Sequence, residues 1–254
     1  MRGIALAFAL LAMSPAGVAA NEAIVAGLSQ NRIGISANFD GSEIIVYGAV
    51  RRDGPAPGGA LDVIVTVEGP EVPLVVRRKS REMGIWINTD EVRLTAAPAF
   101  YAIATTAPLD TILTDTDNLR YKIAIPNAIR SVGIAAVGED APDFIDALIR
   151  IRSRTGSYLL EEGAVELTDE TLFRADFVLP ANLTEGLFDV RIFLLRGGVV
   201  VDALETQIDV RKEGLERFLY RLAHDQPLIY GLLALAIAGL AGWAANAAFR
   251  AIRS

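Results

Sequence analysis

The stretch "GLFDVRIFLLRGGVVVDALETQIDV", residues 186–210, is two β-rich runs divided by a pair of glycines. Val, Ile, Leu and Phe dominate the runs, and "LRGGVV" supplies the glycines that a tight two-residue hairpin needs. Just before it, "TLFRADFVLPANLTE" reads as an alternating strand followed by a polar corner. Strand, corner and aromatic-bearing strand have the cadence of the closing strands of an immunoglobulin-like sandwich. Phe188 occupies the place where that corner often carries a tyrosine, which leaves the corner hydrogen bond without its donor.

The same signature fills the first half of the chain. "NRIGISANF", "SEIIVYGAV", "LDVIVTVEG", "VPLVVRRKS", "MGIWIN" and "AFYAIATT" are short β-rich runs, separated by turn signals such as "FDGSE", "RRDGPAPGGA" and "EGPEVP". Ile64, Val65 and Val67 beside Asp62, Thr66 and Glu68 predict a sheet with one face inward and one wet. Because no helical run precedes residue 110, the expected fold is mainly β. It is one or two immunoglobulin-like antiparallel sandwiches, built from residues 21–106 and closed by strands in 157–210.

Residues 107–156 change character and read as a mixed, partly helical insertion or linker. "EDAPDFIDALIRIRSRTG" carries a helix: Asp140 caps it, Asp143 and Asp146 lie near its positive end, and Arg150, Arg152 and Arg154 near its negative end. Phe144, Ile145, Leu148 and Ile151 recur at helical spacing and are expected to dock on a sheet.

The C-terminal "PLIYGLLALAIAGLAGWAANAAFRAIRS", residues 227–254, decides where that domain works. Residues 228–249 contain no charged side chain, and at about 1.5 Å per residue such a helix covers the roughly 30 Å of a hydrocarbon core. Tyr230 and Trp243 lie towards its ends, and Arg250 and Arg253 follow as charged stops. At the other end, Met1 and Arg2, the apolar run Ile4–Met13 and the small residues up to Ala20 read as a secretory signal cut after residue 20. The two segments predict a single-pass type I protein of the bacterial inner membrane, with residues 21–226 in the periplasm and a cytoplasmic stub at 250–254. Arg211, Lys212, Arg217 and Arg221 before the span outnumber the two arginines after it. The signal decides the orientation nonetheless, since large domains translocate largely regardless of charge.

Without Arg2, Arg250 and Arg253, the exported part keeps 21 of the chain's 24 basic residues against all 31 acidic ones, a net charge near −10. That surface is a poor match for nucleic acid. With no cysteine in the chain, disulfides, thiolate metal sites and cysteine nucleophiles are excluded. No nucleotide loop, nucleophile elbow or metalloprotease His pair is present, so neither an enzyme nor a cofactor is expected. His224 beside Asp225 has no nucleophile at a readable spacing and is read as a side chain just outside the membrane. Asp115, Asp117 and Asn118 resemble the start of a calcium loop, but Leu119 and Arg120 fall on ligand and glycine positions. The expectation is a turn with exposed acids and no metal.

The most unusual patch is "RRKSREMGIWIN", where Arg77, Arg78, Lys79 and Arg81 cluster next to Trp86 in an otherwise acidic domain. Such a cluster can clamp a small anion, dock an acidic partner loop or meet lipid headgroups, or it can serve only to discourage edge pairing of a solvated hairpin. Trp86 alternates with Asn88 in a strand and is expected in the core. Residues 211–226 predict an amphipathic juxtamembrane helix with Leu215, Phe218, Leu219 and Leu222 on one stripe. Within the span, Ala234, Ala238, Gly242 and Asn246 recur every fourth residue, an arrangement that lets a second helix approach, from a permease or from another copy.

"VVRRKSREMGIWINTDEV", "PAFYAIATTAPLDTI", "LFRADFVLPANLTEGLFDVRIFLLRGG" and the final apolar helix resemble the "putative transmembrane protein" family of alphaproteobacteria, from about Ile24 to the last helix. The resemblance implies a periplasmic domain on one C-terminal span, often encoded near a permease of the sulfite-exporter type. It carries over no catalytic residues.

Overall fold

Two sheets share a core assembled from both ends of the chain. The computed structural model describes residues 21–35, 41–130, 141–212 and 222–253; the expected signal and most of the juxtamembrane stripe lie outside them. In chain order the strands are β1 (Glu22–Leu28), β2 (Arg32–Ile35), β3 (Ser42–Arg52), β4 (Leu61–Glu68), β5 (Glu71–Glu82), β6 (Ile85–Pro98) and β7 (Tyr101–Thr105). Four helices follow, α1 (Leu109–Ile112), α2 (Asp115–Tyr121), α3 (Ile125–Arg130) and α4 (Ala141–Arg154). Then come β8 (Tyr158–Glu161), β9 (Glu166–Thr168), β10 (Leu172–Leu179), β11 (Gly186–Arg196) and β12 (Val199–Lys212), and last a helix, α5 (Pro227–Arg253).

The first sheet has the order β1-β3-β10-β9 and the second β2-β12-β11-β4-β7-β8, while β5 and β6 pair only with each other. Each sheet joins strands from the first half of the chain to strands from the second, and side chains from both sheets share one core. Most pairings are antiparallel; β2 with β12 and β7 with β8 are parallel. The 186–210 run forms the central hairpin of the second sheet. Gly197 and Gly198 both have positive φ at its turn, the backbone that a two-residue hairpin with native twist demands.

Strand periodicity explains the core. Phe188, Val190, Ile192 and Leu194 of β11 face the first sheet together with Val63, Val65 and Val67 of β4, opposite Ile44, Val46, Phe173 and Phe177. Phe188 is fully buried there, its ring 6.2 Å from that of Phe100. The predicted wet face of β4 is a correction: Thr66 is fully buried, and Ile64, read as inward, is buried on that same face. That face, with Phe193 and Leu195 of β11, is covered by α1–α4 and the base of the β5–β6 hairpin, which form a second core. Helices distant in sequence supply the cover, so local alternation gives no sign of it.

One further strand has no counterpart in the sequence reading, and two further expectations change. β1 is a strand that the "EAIVAGL" composition, rich in Ala and Gly, does not announce. On α4, Phe144, Ile145 and Leu148 are buried but Ile151 is exposed, because the helix lies on α3, β5 and β8 with its stripe turned towards Ile149. Finally, Arg211 and Lys212 end β12 and do not begin a helix.

Candidate functional site

The basic patch lies on the β5–β6 hairpin, which leaves the sandwich at Gly69 and Pro70 and returns at Ala99. Its base is held by Val76, Val92, Leu94 and Ala97, all buried in the second core. Past Lys79 the ladder runs on, uncovered by the other described residues, to a two-residue turn at Met83 and Gly84. Trp86 is 67% exposed, contrary to its predicted place in the core. It alternates as expected, but the other described residues cover neither face of the hairpin at this distance from the sandwich.

The cations divide between the two faces of β5. Successive strand residues point to opposite faces, so Arg77, Lys79 and Arg81 share one side of β5 and Arg78 takes the other. Arg77 pairs with Glu91 across the hairpin at 3.4 Å. Arg78 reaches Asp143 of α4 at 3.4 Å and lies over the Phe144 ring, 4.7 Å from its centre. Arg81 Nε donates to the Gly84 carbonyl at the turn. Between β5 and α4 runs a groove of about 360 Å³, lined by Arg77, Arg78, Lys79 and Arg150 with Asp143 as its carboxylate. Trp86 is not among its lining residues.

A second polar group, which sequence reasoning missed, sits between the second sheet and α2. Arg191 of β11 donates from one terminal nitrogen to the Tyr121 carbonyl at 2.8 Å, and from the other to the Tyr101 hydroxyl at 3.0 Å and to Glu68 at 3.4 Å. The Tyr101 hydroxyl in turn donates to the Ile123 carbonyl at 2.9 Å. Burial pushes its hydroxyl pKa far above the ordinary value, so it stays a donor. Burial also pushes the Glu68 carboxyl up, against the pull of Arg191. The guanidinium thus closes the C-terminal end of α2 onto the sheet, where a positive charge meets the helix dipole favourably. A depression of about 390 Å³ opens beside it, rimmed by Arg120, Lys122, Arg191 and Glu205. The alternating "FDVRIFLL" pattern gives Arg191 the helix-covered face, and a charged residue there is the signal that was available.

The calcium-loop candidates are structural. Asp115–Tyr121 is a helix with Thr114 at its N-cap, and Asp117 is buried where an exposed acid was expected. Its carboxylate accepts the Val200 amide at 2.8 Å and ties the helix to the β11–β12 hairpin. Asn118 accepts the Ala124 amide at 2.9 Å. His224 and Asp225 are exposed in the single helical turn that precedes α5.

α5 runs unbroken from Pro227 to Arg253. Its Pro227–Asn246 segment has no acidic or basic residue and is uncovered by the rest of the described chain. Leu228, Leu232, Leu235 and Trp243 are all exposed. Ala234, Ala238, Gly242 and Asn246 fall on one stripe of it by helical spacing. A family model described as "Putative transmembrane protein" matches residues 23–251. The chain belongs to this family. Among the described residues it carries one candidate membrane helix, near its C-terminus. No curated protein matches the sequence. Among solved structures, the crystal structure of Spo0M, a sporulation control protein from Bacillus subtilis, is similar at 11% identity and a TM-score of 0.26, over 76% of this chain. The chain spans about half, 50%, of that protein's length.

Proposed function

We propose that this protein is an accessory protein of the bacterial inner membrane: a periplasmic sandwich held by one type I span, which works by binding a membrane partner and catalyses nothing. The uncharged, uncovered Pro227–Asn246 segment of α5 carries this reading. In water a helix of this kind leaves its leucines unburied, whereas in lipid every backbone polar group is satisfied and the side chains match the solvent. The strand orders support an immunoglobulin-type interaction module: β1-β3-β10-β9 follows the A-B-E-D order of such sandwiches, and β12-β11-β4 the G-F-C order. The family resemblance favours a permease of the sulfite-exporter type as the partner, met through Ala234, Ala238, Gly242 and Asn246, where small residues allow close approach and the Asn amide can bond across helices. The test has two parts. A reporter fused after Ser254 is active in the cytoplasm, and mild-detergent purification from native membranes retains a polytopic partner. A reporter active only in the periplasm, or a bare monomer after purification, overturns the reading.

The groove between β5 and α4 favours a second reading, a small-anion module, because four cations line it against one carboxylate. Titration calorimetry with sulfite and sulfate tests it, with R78A and K79A as controls. Absence of heat for both anions removes it.

A further inference from the structure

We propose that the tip of the β5–β6 hairpin, residues 79–88, is a second membrane-contacting element that inserts into the interface of the bilayer α5 crosses; this rests on the anchored reading above. Four observations converge on it. The first is composition on both sides. Met83, Ile85, Trp86 and Ile87 are exposed, Met83 to 104%. Because consecutive strand residues point in opposite directions, Ile85 and Ile87 occupy one face and Trp86 the other. A protein partner docks on one face of a ribbon; a hydrocarbon interface surrounds it.

The second is the backbone at the apex. Met83 has φ +50° and Gly84 φ +90°, the two left-handed positions of a two-residue hairpin turn. Asn, Asp or Gly ordinarily fills the first of these, and an unbranched apolar residue there is strained. The sequence keeps a fully exposed methionine where a polar residue would suit both the turn and water.

The third is charge. Lys79 and Arg81 lie just behind the apolar apex and Glu82 is the one acid in the segment, so the tip carries net positive charge in a domain near −10. Trp with basic residues at its flank is the pattern of a headgroup-level anchor, which reaches about 5–10 Å into the interface. The fourth is position. β4 and β12 run in the same direction, with Glu68, Asp189 and Gln207 in register across the sheet. The hairpin root after Glu68 therefore lies at the end of the sandwich at which β12, the last strand before α5 in the chain, terminates.

Full-length W243F protein, in which Trp86 is the remaining tryptophan, is reconstituted into nanodiscs containing phosphatidylglycerol. Insertion gives a blue-shifted Trp86 emission, protection from acrylamide and quenching by lipids brominated near the headgroup. The added substitutions M83N and I85N, which suit the turn and keep the ladder, abolish all three effects. Emission typical of water with full acrylamide access overturns the proposal. So does protection from acrylamide without quenching by brominated lipid, which would mark the tip as a protein-docking element. Failure of the protein to co-float with lipid would break the anchored reading itself, and this inference with it.

Discussion

Arg52 and Arg196 converge on one carboxylate inside the body, while Arg77 and Arg78 hold two different acids apart on a projecting hairpin. Glu22 accepts Arg52 Nε at 2.7 Å and both Arg196 Nε and a terminal nitrogen at 2.9 Å, and its side chain is 3% exposed. Arg196 also donates to the Gly59 carbonyl and Arg52 to that of Glu170, so loops from both sheets close over the triad. In the hairpin, every partner is two-fifths exposed or more. The same residue types are thus a structural clasp in one place and an adjustable surface in the other. What separates them is desolvation: a buried guanidinium without its partner is costly, and an exposed one is simply hydrated.

The largest effect expected from this difference is at Glu22. Removing its carboxylate leaves both arginines with only the half-exposed Glu170 carboxylate, 3.3 Å from Arg196 and 4.0 Å from Arg52, and Glu22→Ala should lower stability by about 3 kcal/mol, a fall in Tm of about 10 °C for a domain of this size. Thermal denaturation of the detergent-solubilised chain measures it. The Arg196 hydrogen bond holds the Glu22 carboxyl below its ordinary 4.5, with Arg52 assisting and burial opposing. A depressed carboxylate contributes stability that is full above its unfolded pKa and is lost as pH falls through the folded one. The deficit of Glu22→Gln should therefore be complete at neutral pH and fade below about 4.5. A deficit unchanged at pH 3 would mean that packing, and not charge, makes the clasp.

Arg191 belongs with the clasp by its bonds, although its side chain keeps 20% exposure. Arg191→Met keeps an unbranched stem but removes the guanidinium that lies 5.5 Å from the centre of the Phe193 ring, frees the Tyr121 carbonyl and takes away the Glu68 ion pair. The expected cost is about 2 kcal/mol, with amide exchange accelerated in α2 and α3 first. Uniform acceleration across the sandwich would show that the residue supports the fold as a whole.

How much of this is legible in the sequence depends on how far apart the cooperating residues stand. The β11–β12 hairpin is local, and its alternation and glycine pair announce it. α4 likewise shows itself in Phe144, Ile145 and Leu148. The Glu22–Arg196 pair spans 174 positions, and nothing in "NEAIV" or "LLRGG" points from one to the other. The cover over Ile64 and Thr66 comes from helices more than forty residues downstream, so period two is present but both faces are dry. Trp86 fails for the converse reason: its strand is real, but the hairpin outruns the layer that would bury it. The basic patch was visible as composition, whereas the division of its cations between two faces required the register of β5 against β6.

The smallest effect is expected at Arg77, and it bears most directly on the contrast. Its pair with Glu91 is over half exposed on the arginine side, and Glu91 keeps a second partner in Arg93 at 2.8 Å. Arg77→Ala therefore removes neither a desolvated charge nor the sole partner of one, and should leave stability almost unchanged. Moderate salt should mask even that, since exposed charges are screened over about 10 Å at 0.1 M. Glu22→Ala should keep its deficit in the same salt because its triad excludes solvent. A loss at Arg77 as large and as salt-resistant as the one at Glu22 would mean that the hairpin is buried against something in the measured state. Repeating the measurement with Arg77→Ala in detergent and in nanodiscs then distinguishes a protein surface from a lipid one, because only the latter disappears with the bilayer.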